Sequence, residues 1–314
     1  MLTQRMLGAE LSADSVAPCL QRMEAALASE TKPAMQALWH VALAKCYEGT
    51  NYGQVLVIDG NTLTHDAQQQ RAKTHYEASL TNPDALADAR VNDYLPLFTK
   101  HEGSACYHND LLHVVLNDYY ESGVTKQGDK LAWTEKIAAF YKAHHANDAA
   151  LLLSLRALEQ RYENASVKGS IEHNAYYKAL CQLTDEYAGA GSCVKIYEAM
   201  VALQANYVQD DGPYAAHNDS VLMAQAEKGI SLSKKGNAAN ELRNFVARMT
   251  APAVYADGLQ HVCYPGSQLA LAFRTRHLRV AELRLTRLPK SAAELHAADN
   301  DALKALAKKA GSDA

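Results

Sequence analysis

The chain has no C-x-x-C pair, no block of basic residues and few large aromatic hydrocarbons, with four Phe and two Trp in 314 residues. Each absence removes a class of protein. Without C-x-x-C, the six cysteines (Cys19, Cys46, Cys106, Cys181, Cys193 and Cys263) do not present the paired thiols of zinc ribbons or redox motifs. Without a basic block there is nothing to neutralise a row of phosphates, which argues against nucleic acid as a partner; the formal net charge is −4, with acids and bases interspersed. No window of about 18 uninterrupted apolar residues occurs, so no membrane span is expected. The opening "MLTQRMLGAELSADS" lacks a basic region followed by a long apolar one, so no secretory signal is visible. That leaves a cytoplasmic protein or a piece of something longer.

Catalytic signatures are missing as well. The serines lack a G-x-S-x-G elbow. "AGAGS" follows no strand and precedes no Gly-Lys-Ser/Thr, so it reads as a helix-hairpin turn rather than a phosphate loop. "QDDGP" reads as loop surface. No nucleophile, base and orienting group can be assembled from spacing, and no catalytic, cofactor-binding or metal residue is assigned; no cofactor is expected.

What the chain does have is helical periodicity, from its start to about residue 249. "ADSVAPCLQRMEAALASE" offers Asp14 as an N-cap and Pro18 inside the first turn. In "KPAMQALWHVALAKCYEG", Trp39, Leu43, Cys46 and Tyr47 form one apolar stripe. "NYGQVLVIDGNTLTH" is a connection with a short extended piece at "QVLVI". "DAQQQRAKTHYEASL" is helical and ends before the breaker Asn82-Pro83. Further on, "LAWTEKIAAFYKAH" places Trp133, Ile137, Phe140 and Tyr141 on one face. "NDAALLLSLRALEQRYEN" begins at an Asn/Asp cap and carries Leu151, Leu155, Leu158 and Tyr162. "HNAYYKALCQLTDEYAG" repeats the device with Tyr176, Leu180, Leu183 and Tyr187, and "SCVKIYEAMVALQANY" gives Ile196, Met200, Leu203 and Tyr207. A last pair, "DSVLMAQAEKGISLSKKG" and "NAANELRNFVARM", meets at Gly236.

Short turns between such helices predict antiparallel neighbours, and pairs recurring every 40-odd residues predict a mainly α, TPR-like helical-hairpin solenoid, without a full tetratricopeptide consensus. Seventeen tyrosines suit thin layers in which each hydroxyl stays near water. Cys181 and Cys193 fall roughly 10 Å apart along their hairpin, too far for a disulfide. After Pro252 the pattern changes to period two, with Leu269, Leu271 and Phe273, then Leu283 and Leu285, giving three short strands. Three strands with one apolar face need another layer, and only a polar helix and tail follow, so the β unit reads as unfinished.

"SACYHNDLLHVV" holds the one dense knot of metal-ligand types, His108, Asp110 and His113. A metal-dependent enzyme using these three is one reading. The other begins from Leu112, Val115, Leu116 and Tyr119, an i, i+3, i+4, i+7 stripe that makes Asp110 the N-cap of a helix. Its carboxylate then accepts a backbone N–H of that helix. His108 and His113 are five apart across the helix start, unlike the i, i+4 pair of helical zinc sites. The cap reading is preferred. His144 and His145 fall in the last turn of their helix, where cations suit the dipole.

Several segments resemble, in order, the N-terminal part of large bacterial alpha-2-macroglobulin-like proteins, particularly those of Bacteroidales-type bacteria. They are "DSVAPCLQRMEAALASETKPAMQALWHVALAKCY", "HYEASLTNPDAL", "VNDYLPLF", "YHNDLLHVV" and the stretch from "NELRNFVARMTAPAVYADG" to "LRLTRLP". Together they cover roughly residues 10 to 290. At "RTRHLR" the family tends to have Arg-Asn where this chain has Arg276-His277. The resemblance implies a helical repeat domain over 1–249, strands of an incomplete macroglobulin-type β-sandwich over 250–290, and a polar helix and tail over 291–314. The family's thioester, Cys-x-Glu-Gln, does not occur here, so protease trapping would belong only to the full-length form. The implied role is a non-catalytic scaffold segment whose partners are the downstream macroglobulin domains, with proteases reached only through the whole protein. It also implies a periplasmic or outer-membrane location and a chain that is a fragment at both ends. The alternative is a TPR-like protein–protein interaction module.

Overall fold

The computed structural model describes residues 13–49, 56–58, 61–94, 110–163, 165–208, 212–233, 237–257 and 272–278, with individual positions from 280 to 308. Among these, the chain is mainly helical, with two small antiparallel sheets. It divides into two compact units, Met1–Val246 and Ala247–Ala314.

The first unit opens with α1 (Ala13–Ser29) and α2 (Pro33–Gly49). Asp14, expected as the cap of α1, is its second residue, and Pro18 lies two residues further in than expected. In α2 the stripe buries Leu43, Cys46 and Tyr47, while Trp39 packs half-buried at its edge. Burying each such side chain stabilises by about 1.5–3 kcal/mol. The extended piece is a strand, β1 (Leu56–Ile58), pairing with β2 (Asn61–Leu63) in a hairpin. Then α3 (His65–Ser79) starts on Thr64, whose hydroxyl accepts from the Ala67 N–H. The Asn82-Pro83 breaker also starts an element: Asn82 caps the short α4 (Pro83–Asp88) and Pro83 takes its first position.

Next come α5 (Leu111–Glu121), α6 (Gln127–Ala143) and α7 (Asn147–Arg161). α8 (Ala175–Glu186) is capped by Asn174, as its sequence predicts. The turn "AGAGS" leads through a short 3-10 segment into α9 (Val194–Ala202). α10 (Gly212–Leu232) and α11 (Asn240–Thr250) close the helical run. The junction Gly236 and the "QDD" of "QDDGP" lie outside the described residues, while Gly212 and Pro213, expected as loop surface, open α10.

Consecutive helices pack most heavily as α2 with α3, α6 with α7 and α9 with α10. The last pairing departs from the expected frame, in which α8 would partner α9 and α10 would partner α11. Gly229 of α10 explains it: a Cβ there would come within 2.8 Å of the Tyr197 Cβ on α9. Only the missing side chain allows α9 and α10 to approach so closely.

In the second unit, β3 (Ala253–Asp257) pairs antiparallel with β4 (Ala272–Arg276), with Ala253 opposite Arg276. Two of the three expected strands are thus described. Phe273 lies in β4, while Leu269, Leu271, Leu283 and Leu285 lie outside the described residues.

Candidate functional site

Asp110 stands in extended conformation just before α5, and its Oδ1 accepts the His113 N–H at 2.8 Å. The spacing of the apolar stripe had predicted this cap, and Leu111, Leu112, Val115, Leu116 and Tyr119 of that stripe are buried. The carboxylate does more than cap. Both of its oxygens accept from the Tyr141 hydroxyl of α6, each at 2.9 Å. Asp110 is 4% exposed and Tyr141 1%, so the pair is cut off from water. A hydrogen bond to a buried carboxylate contributes about 1.5–3 kcal/mol. Burial and the adjacent Asp110 push the Tyr141 hydroxyl well above the usual phenol range, so it remains a donor.

Of the three knot residues, the structure places Asp110 at the cap and His113, half-buried, in the first turn of α5; His108 lies outside the described residues. Asp110 meets His113 through the backbone N–H. Among the described residues, no group of three or more His, Cys, Asp or Glu side chains is arranged to hold a metal ion.

Other carboxylates are used in the same manner. Tyr47 of α2 donates to Glu24 of α1. Tyr76 of α3 donates to Glu48 of α2 at 2.8 Å, and Glu48 also takes the Gly123 N–H from the turn between α5 and α6. Tyr47, Tyr76 and Tyr141 are all at most 1% exposed. These three hydroxyls therefore do not stay near water, as the tyrosine excess had suggested. Each is satisfied by an acid from a neighbouring helix or its cap.

Asp148 corrects another expectation. The cap of α7 is Ala146, with no side-chain bond, and Asp148 Oδ1 accepts the Ser192 N–H at 2.6 Å instead. His144 and His145 lie just past α6 rather than in its last turn. His145 takes the left-handed conformation (φ 58), its N–H bonds Lys142 O at 3.1 Å, and the Ala146 N–H bonds Tyr141 O at 2.9 Å. That is a Schellman ending with His where Gly is usual. Cys19, Cys46, Cys181 and Cys193 are free, and burial pushes the Cys46 thiol up to about 12.

Sequence reasoning missed the tyrosine–carboxylate pairs and a contact between His40 and His75. The partners lie 23 to 35 residues apart across helix pairs. The only signal in the sequence was the tyrosine excess itself. No protein-family model, no curated protein and no solved structure matches the chain.

Proposed function

We propose that the helical unit is a non-catalytic, TPR-like scaffold, and that it forms the N-terminal arm of an alpha-2-macroglobulin-like envelope protein. The observation that carries the scaffold reading is the use made of buried and half-buried acids. Asp110, Glu48 and Asp148 each join segments far apart in sequence, accepting backbone N–H groups, and in two cases tyrosine hydroxyls as well. A carboxylate that accepts hydrogen bonds across helices in this way holds them together and is less available to bind a cation or move a proton. A helical unit so fastened would present and space the domains that follow it. The assignment to the macroglobulin-like family rests on the ordered segments from "DSVAPCLQ" to "LRLTRLP".

The test is to tag the gene at its chromosomal locus and identify the product by immunoblot, cell fractionation and peptide mass spectrometry. The expected product fractionates with the envelope, far exceeds the 34.3 kDa of this chain and yields peptides with a downstream Cys-x-Glu-Gln. A product no larger than this chain would contradict the proposal.

A further inference from the structure

Where α2 and α3 lie side by side, Nδ1 of His40 is 2.9 Å from Nδ1 of His75. The ring centroids are 5.2 Å apart. A five-membered ring with edges of about 1.35 Å places each nitrogen about 1.15 Å from its centroid. Two such radii and the gap between nitrogens account for the whole centroid distance. Both nitrogens therefore lie on the line joining the rings, and the lone pair of one points straight at the other. Ligands of a shared metal ion would instead converge on a third point. The arrangement is that of a linear N–H···N bond, with one ring donating its Nδ1 proton to the other.

The surroundings favour a low positive charge on this pair. His75 stacks on Tyr47, with centroids 5.7 Å apart and planes 10° from parallel. Tyr47 donates to Glu24 of α1 and accepts from Arg71 Nη1 of α3 at 3.2 Å. Five acids on the packed elements are engaged elsewhere. Glu48 holds Tyr76 and the Gly123 N–H, Asp118 of α5 pairs with Lys45, Asp129 of α6 and Glu77 of α3 pair with Lys73, and Asp84 of α4 faces His144. Burial lowers His40, and burial, His40 and Arg71 together hold His75 down at about 4.

We propose that His40 and His75 form a proton-sharing clasp between α2 and α3 that opens when acid adds a second proton to the pair. The first added proton goes to Nε2 of the donor ring and leaves a charge-assisted hydrogen bond in place. The second must occupy the accepting Nδ1. That removes the only lone pair in the contact and sets two cations against each other beside Arg71. The two steps belong to the pair rather than to either ring.

A histidine depressed in the folded state contributes stability that is complete above its unfolded value of 6.5 and is lost as pH falls towards about 4. For His75 alone, going from pH 7 to pH 5 should lower the folding constant of this contact by about twenty-fold.

The test is hydrogen exchange of the whole chain at pH 7 and pH 5, corrected for intrinsic rates and compared with His75→Gln, which keeps a neutral donor but takes up no proton. The expected result is a loss of protection in α2 and α3 about tenfold or more beyond that in α6 and α7, absent in the variant. An equal loss in both helix pairs would overturn the proposal. Should the variant not fold, imidazole NMR of the unaltered chain decides. One ring of the pair completing its titration below pH 5 supports the clasp, and both titrating near 6.5 rules it out.

Discussion

The Asp148 carboxylate at the start of α7 accepts the Ser192 N–H at 2.6 Å, so an acid from one helix secures the approach to another 44 residues later in the chain. The expected local cap gives way to a long-range one because the chain turns Ser192 back onto the start of α7.

Asp148→Ala should therefore destabilise the protein by about 1–2 kcal/mol, the cost of losing a capping acceptor with its donor left half-buried. Asp148→Asn, which keeps an acceptor oxygen, should recover most of that loss. Urea unfolding of the two variants measures the difference. Equal losses would show that the contact to Ser192 does not carry the effect.

Gly229 sits inside α10, where glycine costs about 1 kcal/mol relative to alanine. A propensity argument alone says Gly229→Ala stabilises. The added Cβ would lie 2.5 Å from Leu242 Cδ1 and 2.8 Å from Tyr197 Cβ, and the second neighbour sits at the root of its side chain and cannot swing away. Overpacking should win, with a net destabilisation of about 1–3 kcal/mol. A rise in the thermal midpoint of the variant would contradict this.

At His145, φ is 58, a region that costs a residue with a Cβ roughly 1–2 kcal/mol. His145→Gly should stabilise by about 0.5–1 kcal/mol after the greater freedom of glycine in the unfolded chain is counted. The Schellman bonds from His145 and Ala146 are made by backbone groups and survive the change. The midpoint of urea unfolding reads the effect directly, and a lower midpoint would count against the turn as described.

Alkaline pH should unfold the protein through its tyrosines. Burial and Glu24 raise Tyr47 to about 12, and burial raises Tyr177 to about 12, against an ordinary value of 10.0. A phenol raised in the folded state contributes stability that is complete below 10 and is lost as pH climbs to about 12. Tyrosinate absorbance should show a share of the tyrosines ionising only with loss of helical circular dichroism. A single smooth titration of all tyrosines near 10 would contradict the buried pairs.

Local features were legible in the sequence. Asp110 and Asn174 cap because the acceptor and the N–H it serves are three residues apart. The stripes around Leu43, Leu116 and Leu180 are buried as their spacing demands. What depended on tertiary neighbours was not legible. Asp148 has both a local and a distant N–H available, and spacing shows only the local one. The hydroxyls of Tyr47, Tyr76 and Tyr141 read as water-seeking because the acids that receive them come from other helices or their caps. The contact of His40 with His75 depends on how α2 lies against α3, which no single-helix pattern encodes. The left-handed conformation of His277, φ 53, was not legible either, since asparagine enters it more readily than histidine.

The bond between Tyr141 and Asp110 is the central fastening, made by the same carboxylate that stands in the His108, Asp110 and His113 knot of the sequence. A double-mutant cycle of Tyr141→Phe and Asp110→Ala, read by urea unfolding, measures their coupling. Each single change should cost about 1–3 kcal/mol, because each removes a hydrogen bond between two buried groups. The double change should cost at least about 1 kcal/mol less than the two added together. Strict additivity, with no coupling between phenol and carboxylate, would contradict the claim that this acid is a fastening of the helical scaffold.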